Sequence, residues 1–260
     1  MSDHGKNRRK EMTDGRFSLS SIQSARRNVP MRVIIYGAPG VGKTTCASCF
    51  PDPILIRTED GASEIDVPTF PLVRSLSDLG DAIQTLQGEH NFKTLIIDSL
   101  DWLEPLVFSS VCEGNGKRNI SDFSFGSGYQ LALSTWKMIT QTLDMLRARK
   151  GMHIVLIAHA DTKKIDPPDG VPYVRYDMKL QTLACNHIME WSDYMFFLTR
   201  QSTVQAADER RGTRGKAIST GERVIHLSGG VAFQGKSRKA LPSEITCSLD
   251  YHELTELLFK

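Results

Sequence analysis

Short apolar runs recur along the chain and alternate with longer amphipathic stretches. Five of these runs are five or six residues long, which is typical of buried strands. They are Arg32–Tyr36, Pro53–Arg57, Thr94–Asp98, His153–Ala158 and Tyr194–Leu198. Strands without a polar face that alternate with helices predict an α/β fold with a mostly parallel central sheet flanked by helices.

The stretches between these runs carry helical spacing. In the clearest helix, Ala132, Trp136, Ile139, Leu143 and Leu146 are spaced four, three, four and three residues apart before Gly151 ends it. We expect another helix to begin at Asp101 as its cap, with Glu104 at the capping-box position. The remaining predicted elements are helices at 44–50, 77–86 and 251–259 and short antiparallel C-terminal strands at 216–219 and 223–227.

Three segments lack regular apolar spacing. Residues 1–28 are polar and basic, which predicts a disordered tail before a single domain over residues 29–260. Residues 113–129 are rich in Gly, Ser and Asn, and residues 161–175 hold three prolines and one glycine. We expect both to be long loops.

The composition is that of an ordinary globular protein, with 260 residues, 40% hydrophobic and 24% charged. No apolar stretch approaches the roughly 20 residues of a membrane span, so no membrane partner is expected. Five cysteines, an odd number, favour reduced thiols and a cytoplasmic location. Cys46 and Cys49 form a C-x-x-C motif without a second ligand pair, which favours core thiols over a zinc site.

The net charge of +2 hides a basic excess near both ends of the chain. Residues 1–30 carry seven Lys and Arg against three Asp and Glu, and residues 200–240 carry nine against three. Basic segments attract phosphate backbones, but they are also common as solvated arms. Composition alone leaves both interpretations open.

Residues 37–44 read Gly-Ala-Pro-Gly-Val-Gly-Lys-Thr, a full match to the phosphate-binding loop G-x-x-x-x-G-K-[ST]. A predicted strand precedes the loop and a predicted helix follows it, which is the context that the motif requires. Such a loop directs backbone N–H groups and the helix N-terminus at phosphate oxygens. The predicted nucleotide-binding residues are Gly37, Ala38, Pro39, Gly40, Val41, Gly42, Lys43, Thr44 and Thr45.

Side chains at the ends of three strands complete the predicted site. Asp98 ends one strand, where it can hold Mg²⁺ together with the Thr44 hydroxyl. Glu59 follows another strand and is the candidate to activate the attacking water, with Asp60 and Glu64 as alternatives. His159 follows a third, either as a hydrogen-bonding partner of the γ-phosphate or as a buried structural histidine.

A GTPase is disfavoured by two missing motifs. Asp98-Ser99-Leu100-Asp101 lacks the glycine of Asp-x-x-Gly, and the strand before His159 leads into Ala160-Asp161-Thr162 rather than Asn-Lys-x-Asp. ATP with Mg²⁺ is therefore the expected cofactor pair.

Six strings in order resemble the phage-encoded RecA-like ATP-binding proteins, a core-only branch of the recombinases often grouped with single-strand annealing proteins. They are YGAPGVGKTT, IDSLDWLE, DFSFGSGY, KGMHIVLIAHADTKK, EWSDY and GKSRKALP, which span about Val33 to Ile245. The resemblance implies a RecA-like P-loop core, a water-activating role for Glu59 and a γ-phosphate sensor at His159. Lys236 and Arg238 resemble a Lys-x-Arg finger that enters a neighbouring subunit's site, which implies a homo-oligomeric ring or filament; a basic surface hairpin is the alternative.

The same resemblance places the two predicted loops along a DNA channel. Aromatic and cationic side chains there suit single-stranded DNA, although neither loop is net basic. The implied contacts are Lys117, Arg118, Phe123, Phe125, Tyr129, Lys163, Lys164, Tyr173 and Arg175.

These observations together predict an ATPase that binds single-stranded DNA and acts in phage-type recombination or annealing, in the host cytoplasm if phage-encoded. A single-strand-binding protein is a further candidate partner. The alternatives are a ring-forming DNA motor or helicase loader and, less favoured, a small-molecule kinase.

Overall fold

An eight-stranded sheet forms the centre of the fold. The computed structural model describes residues 29–61, 65–168, 170–205, 216–247 and 251–259. The predicted tail at 1–28 and the alternative base Glu64 lie outside these residues. The strands are β1 (Arg32–Gly37), β2 (Pro53–Arg57), β3 (Thr94–Asp98), β4 (His153–Ile165), β5 (Tyr173–Met178), β6 (Tyr194–Gln205), β7 (Lys216–His226) and β8 (Glu244–Cys247).

The strand order is β2-β3-β4-β1-β6-β7-β8, with β5 paired to β4 outside this path. The first five strands in the order are parallel, and β7 and β8 add antiparallel pairs. Gly37 at the end of β1 is in register with His159 on β4 and Leu198 on β6. The parallel strands therefore end at one edge, and the predicted fold class is confirmed.

Six helices flank the sheet in the described residues. They are α1 (Lys43–Ser48), α2 (Leu76–Thr85), α3 (Leu100–Gly114), α4 (Ser127–Lys150), α5 (Thr182–Trp191) and α6 (His252–Phe259). Side chains alternate across β1: Ile34 and Tyr36 pack into the core on one face, with Trp136 of α4. Ile35 packs into the core on the other face, with Tyr251 before α6. Both faces of the sheet are thus covered, which is why the strands are apolar throughout.

Two helix predictions need correction. Helix α3 begins at Leu100 with Ser99 as its N-cap, so the N-cap lies two residues before the expected Asp101. Asp101 does not cap the helix, because both its carboxylate oxygens are bound to His159. Helix α5 was not expected at all: its N-cap Gln181 accepts a hydrogen bond from Leu183, and this glutamine is not among the usual capping residues.

Neither predicted long loop is a loop throughout. Helix α3 extends to Gly114, and two 3₁₀ turns at Ile120–Asp122 and Ser124–Gly126 lead into α4 at Ser127. The second segment is mostly a β-hairpin, because β4 continues to Ile165 and pairs antiparallel with β5. At the C-terminal end, the two expected short strands are parts of the single strand β7, which carries Gly221 at φ 85° between them.

Candidate functional site

The phosphate loop connects the buried strand β1 to helix α1 and contains two glycines with positive φ. Gly40 has φ 67° and Gly42 has φ 101°, a conformation that side chains with a Cβ rarely adopt. At Gly42 the space is also filled, since a Cβ would lie 2.6 Å from the Tyr251 hydroxyl and 3.0 Å from Nε of Arg223. Glycine is therefore required at position 42 for two reasons, the positive φ of the backbone and the lack of space for a Cβ atom.

Lys43 lies almost fully buried under the loop. Its Nζ donates hydrogen bonds to the carbonyl oxygens of Gly37 at 3.2 Å and Ala38 at 3.0 Å. Burial lowers the pKa of this ammonium, and the nearby carboxylate of Asp98 works in the opposite direction. A buried ammonium held only by neutral carbonyls gains from an added anion, so the site suits a phosphate ligand.

Thr44 and Asp98 meet across the sheet edge. The Thr44 hydroxyl donates to Oδ2 of Asp98 at 2.6 Å, and Asp98 is only 5% exposed. Burial raises the pKa of Asp98, whereas the hydrogen bond from Thr44 lowers it. A hydroxyl and a carboxylate that face one cavity are hard oxygen ligands, so the pair fits Mg²⁺.

Glu59 lies just beyond β2 and lines the same cavity. Burial, followed by repulsion from Asp98, raises the pKa of its carboxyl group. The alternative Asp60 has a side chain that is 86% exposed and pairs with Arg57 at 3.8 Å. Of the two candidate bases among the described residues, Glu59 and Asp60, only Glu59 lines the cavity.

His159 ends the central part of β4 and is fixed by Asp101. Its ring Nδ1 lies 2.8 Å from Oδ2 of Asp101, and its backbone N–H donates to Oδ1 at 2.9 Å. Burial opposes ionisation of Asp101, but these hydrogen bonds hold its pKa below the ordinary value. The His159 ring therefore lines the cavity and also has a structural partner, and its hydrogen bond to the γ-phosphate stays a prediction. Asp101 could have been found from sequence only by pairing α3 with β4.

These groups line one cavity of about 450 Å³, a volume within the usual range for small-ligand sites. The lining residues are Gly40, Gly42, Lys43, Thr44, Thr45, Arg57, Glu59, Gly61, Ile65, Asp98, His159 and Arg223. Arg223, on β7, was not predicted. Its Nε donates to the Val41 carbonyl oxygen at 2.7 Å, and Arg200 on β6 donates to that of Gly40 at 3.0 Å. No local motif marks either arginine, since only the sheet brings them to the loop.

Lys236 and Arg238 lie at the opposite edge of the sheet. Nζ of Lys236 donates to three carbonyl oxygens at the end of α5, those of Met189, Glu190 and Ser192. Arg238 pairs with Asp193, which also binds the backbone N–H of Arg32 where β1 begins. The structure thus gives both residues partners within their own chain and keeps them away from its cavity. Their action in a neighbouring subunit stays a prediction.

The predicted DNA contacts fall into two groups. The first group has Lys117, Arg118, Phe123 and Phe125 between the end of α3 and the start of α4, and Tyr129 in the first turn of α4. Phe125 is fully exposed, whereas Phe123 packs against the core beneath α4. Lys163, Lys164, Tyr173 and Arg175 belong to the β4–β5 hairpin. Lys163 and Arg175 both lie 3.7 Å from Oδ2 of Asp177, so part of their charge is neutralised within the hairpin.

Two further features concern the cysteines and the lengths of the helices. Cys46 is fully buried in α1, and the described residues contain no group of three or more His, Cys, Asp or Glu that could hold a metal ion. Within the described parts of the chain, none of the helices has the length and apolarity to cross a membrane.

Comparison with protein families matches residues 29–239 to a family described as "AAA domain". The chain belongs to this AAA domain family. The match spans the phosphate loop after β1 and the ends of β2, β3 and β4, which bring Glu59, Asp98 and His159 to the cavity. This AAA domain is therefore a P-loop ATPase domain by family as well as by motif.

Other comparisons add little on function. No curated protein matches the AAA domain. Among solved structures it is similar to one titled "Crystal structure of the RadB recombinase", at 14% identity and a TM-score of 0.47, covering 84% of this chain and 86% of that one. A likeness this distant carries no argument about activity, and the fold described above stands on its own strand order.

Proposed function

We propose that this AAA domain binds Mg²⁺-ATP in the cavity beside the phosphate loop and hydrolyses it. The observation that carries the proposal is the convergence, at one sheet edge, of the buried Lys43, the Thr44–Asp98 pair and Glu59. Lys43 and Thr44 come from the start of α1, Asp98 from the end of β3 and Glu59 from the segment after β2. Each of these groups has the chemistry that phosphoryl transfer to water requires.

Each side chain has a separate role in binding or hydrolysis. Lys43 exchanges its carbonyl partners for phosphate oxygens and stabilises their charge. Thr44 and Asp98 hold Mg²⁺, which supplies charge compensation at the phosphates. Glu59 orients the attacking water and accepts its proton, and its raised pKa makes it a stronger base than an ordinary carboxylate. His159, held by Asp101, lines the cavity from β4 and helps to position the terminal phosphate.

The site assignment is tested by Lys43→Ala. We expect this variant to lose ATP hydrolysis, because neither the loop nor the metal pair replaces the missing ammonium. The matched control is Lys137→Ala, which removes an exposed lysine from α4 and is expected to hydrolyse ATP like the wild type. Hydrolysis by Lys43→Ala near the wild-type rate would contradict the assignment.

We further propose that the domain binds single-stranded DNA and acts in phage-type recombination or annealing as a homo-oligomer. The support is the sequence resemblance and the set of aromatic and cationic side chains on the α3–α4 connection and the β4–β5 hairpin. A cytoplasmic location and a single-strand-binding protein as partner belong to the same proposal.

The DNA proposal is tested by the ATPase rate with and without single-stranded DNA over a series of salt concentrations. We expect stimulation that fades as salt rises, because counterion release drives phosphate contacts. ATP-fuelled strand unwinding would instead favour a motor or helicase loader. Turnover that responds to a metabolite and ignores DNA would favour a small-molecule kinase.

A further inference from the structure

The cavity beside the phosphate loop has two chemically different ends. Strands β2, β3 and β4 lie on one side of β1 and bring Glu59, Asp98 and His159. Strands β6 and β7 lie on the other side of β1 and bring Arg223. Arg57 also lines the cavity, but it comes from β2 and pairs with Asp60. Arg223 is therefore the cation of the cavity that lies across the phosphate loop from the carboxylates.

Arg223 and Arg200 both bind carbonyl oxygens of the phosphate loop, but they differ in whether they line the cavity. They are register partners on the antiparallel β6–β7 pair. Each donates one hydrogen bond to a loop carbonyl, Arg223 to Val41 and Arg200 to Gly40. Only Arg223 lines the cavity. A guanidinium has five N–H donors in a planar fork, so the bond from Nε leaves the group with further donors for an anion.

We propose that Arg223 forms a second phosphate-binding position, within the same chain, for the phosphate closest to the nucleoside. This proposal rests on the proposed function, which places Mg²⁺, the attacking water and the terminal phosphate at the end of Glu59 and Asp98. A triphosphate that starts there and follows the loop past Lys43 ends on the side of β7. Arg223 meets it there, and its bond to Val41 fixes the guanidinium relative to the loop that holds the other phosphates.

The position of Arg223 predicts a specific pattern of affinities. A contact to the nucleoside-proximal phosphate is present in ATP and ADP alike. Arg223→Ala should therefore weaken binding of both nucleotides by the same factor, about tenfold, as expected for one charge-assisted hydrogen bond. The maximal hydrolysis rate at saturating ATP should change little, because the groups that aim the water are untouched.

The test is isothermal titration of wild type, Arg223→Ala and Arg200→Ala with Mg²⁺-ATP and Mg²⁺-ADP. Arg200→Ala is the matched control, since it loses an equivalent bond to the loop without removing a group from the cavity, and its affinity should fall by less than threefold. Arg223→Lys keeps the charge and should retain more affinity than Arg223→Ala. This variant also gives a result should the alanine variant fail to fold.

Four outcomes would overturn the proposal, one of them together with the proposed function. Equal losses for Arg223→Ala and Arg200→Ala would show that both arginines only hold the loop. A loss for ATP that exceeds the loss for ADP would place Arg223 at the terminal phosphate. Wild-type protein that binds neither nucleotide would overturn the proposed function itself, whereas normal wild-type binding with an unaffected Arg223→Ala would overturn only this inference.

Discussion

At the scale of single residues, the site is built from polar groups that are costly to bury without a partner. Asp98 has Thr44, His159 has Asp101, and Lys43 has two loop carbonyls. For Glu59, burial and a neighbouring carboxylate both raise the pKa of the carboxyl group. A carboxyl group in this state is suited to taking a proton, and this distinguishes Glu59 from the solvated Asp60.

The role of Glu59 gives a residue-level prediction. Glu59→Gln keeps the shape of the side chain but cannot accept a proton, so the maximal hydrolysis rate should fall at least about 100-fold. ATP affinity should be retained or rise, since one negative charge near the phosphates is removed. Asp60→Asn is the control and should hydrolyse normally. Single-turnover kinetics and titration with ATP measure the two effects, and an unchanged rate for Glu59→Gln would remove Glu59 as the base.

The cavity residues that could be predicted from the sequence are those marked by a local pattern. Residues that only the fold places at the cavity could not be predicted. The phosphate loop, Asp98, Glu59 and His159 each follow an apolar run, so their places at one edge follow from parallel pairing. Arg223 lies 181 residues after Gly42 in the sequence and has no motif of its own. Its position depends on the β6–β7 pairing, which apolar spacing alone does not specify.

At the scale of elements, the buried parts were the easiest to predict. All five parallel strands and helix α4 come from apolar periodicity, because burial dictates those positions. The two segments expected to be loops were misread because Gly, Pro and polar residues also occur in exposed hairpins and helix ends. In the β4–β5 hairpin, Lys163 is paired with Arg175, and both side chains lie near the carboxylate of Asp177. Backbone hydrogen bonds and ion pairs hold such a hairpin together, so its sequence shows no pattern of apolar residues.

The end of α4 offers a prediction about helix termination. Gly151 caps the helix at φ 66°, and a Cβ there would meet nothing within 4 Å. Gly151→Ala should therefore cost about 1 kcal/mol through backbone strain alone. Gly80 lies inside α2, where an added Cβ is also unobstructed, so Gly80→Ala should instead stabilise by about 0.5 kcal/mol. Urea unfolding of both variants measures the difference, and equal effects would contradict the strain argument.

At the scale of the whole molecule, the two edges of the sheet have different tasks. The edge where the parallel strands end holds the cavity, and the opposite edge holds a polar network around Asp193. There the Asp193 carboxylate accepts three hydrogen bonds from Arg32 and pairs with Arg238 at 2.8 Å. This network connects the start of β1 to the start of β6 and to the segment after β7. It stabilises the central strands from the end opposite the cavity.

The network makes a prediction about acid stability. Although burial opposes ionisation of Asp193, its bonds to Arg32 hold its pKa below the ordinary value of about 3.9. A group with a lowered folded-state pKa stabilises fully above its unfolded-state pKa and loses that contribution as pH falls towards the folded value. Asp193→Asn should therefore cost about 2 kcal/mol at pH 7, because it removes the carboxylate that accepts three hydrogen bonds from Arg32 and leaves Asp144, at 3.5 Å, as the ion-pair partner of that arginine.

That cost should shrink in acid, since the wild type loses the same contribution below about pH 4. Urea unfolding of wild type and Asp193→Asn at pH 7, 5 and 3 measures it: the difference between the two proteins should be equal at pH 7 and 5 and smaller at pH 3. Asp60→Asn, on an exposed side chain, should match the wild type within about 0.5 kcal/mol at pH 7. A difference that stays constant down to pH 3 would show that Asp193 acts through its shape and packing rather than its charge.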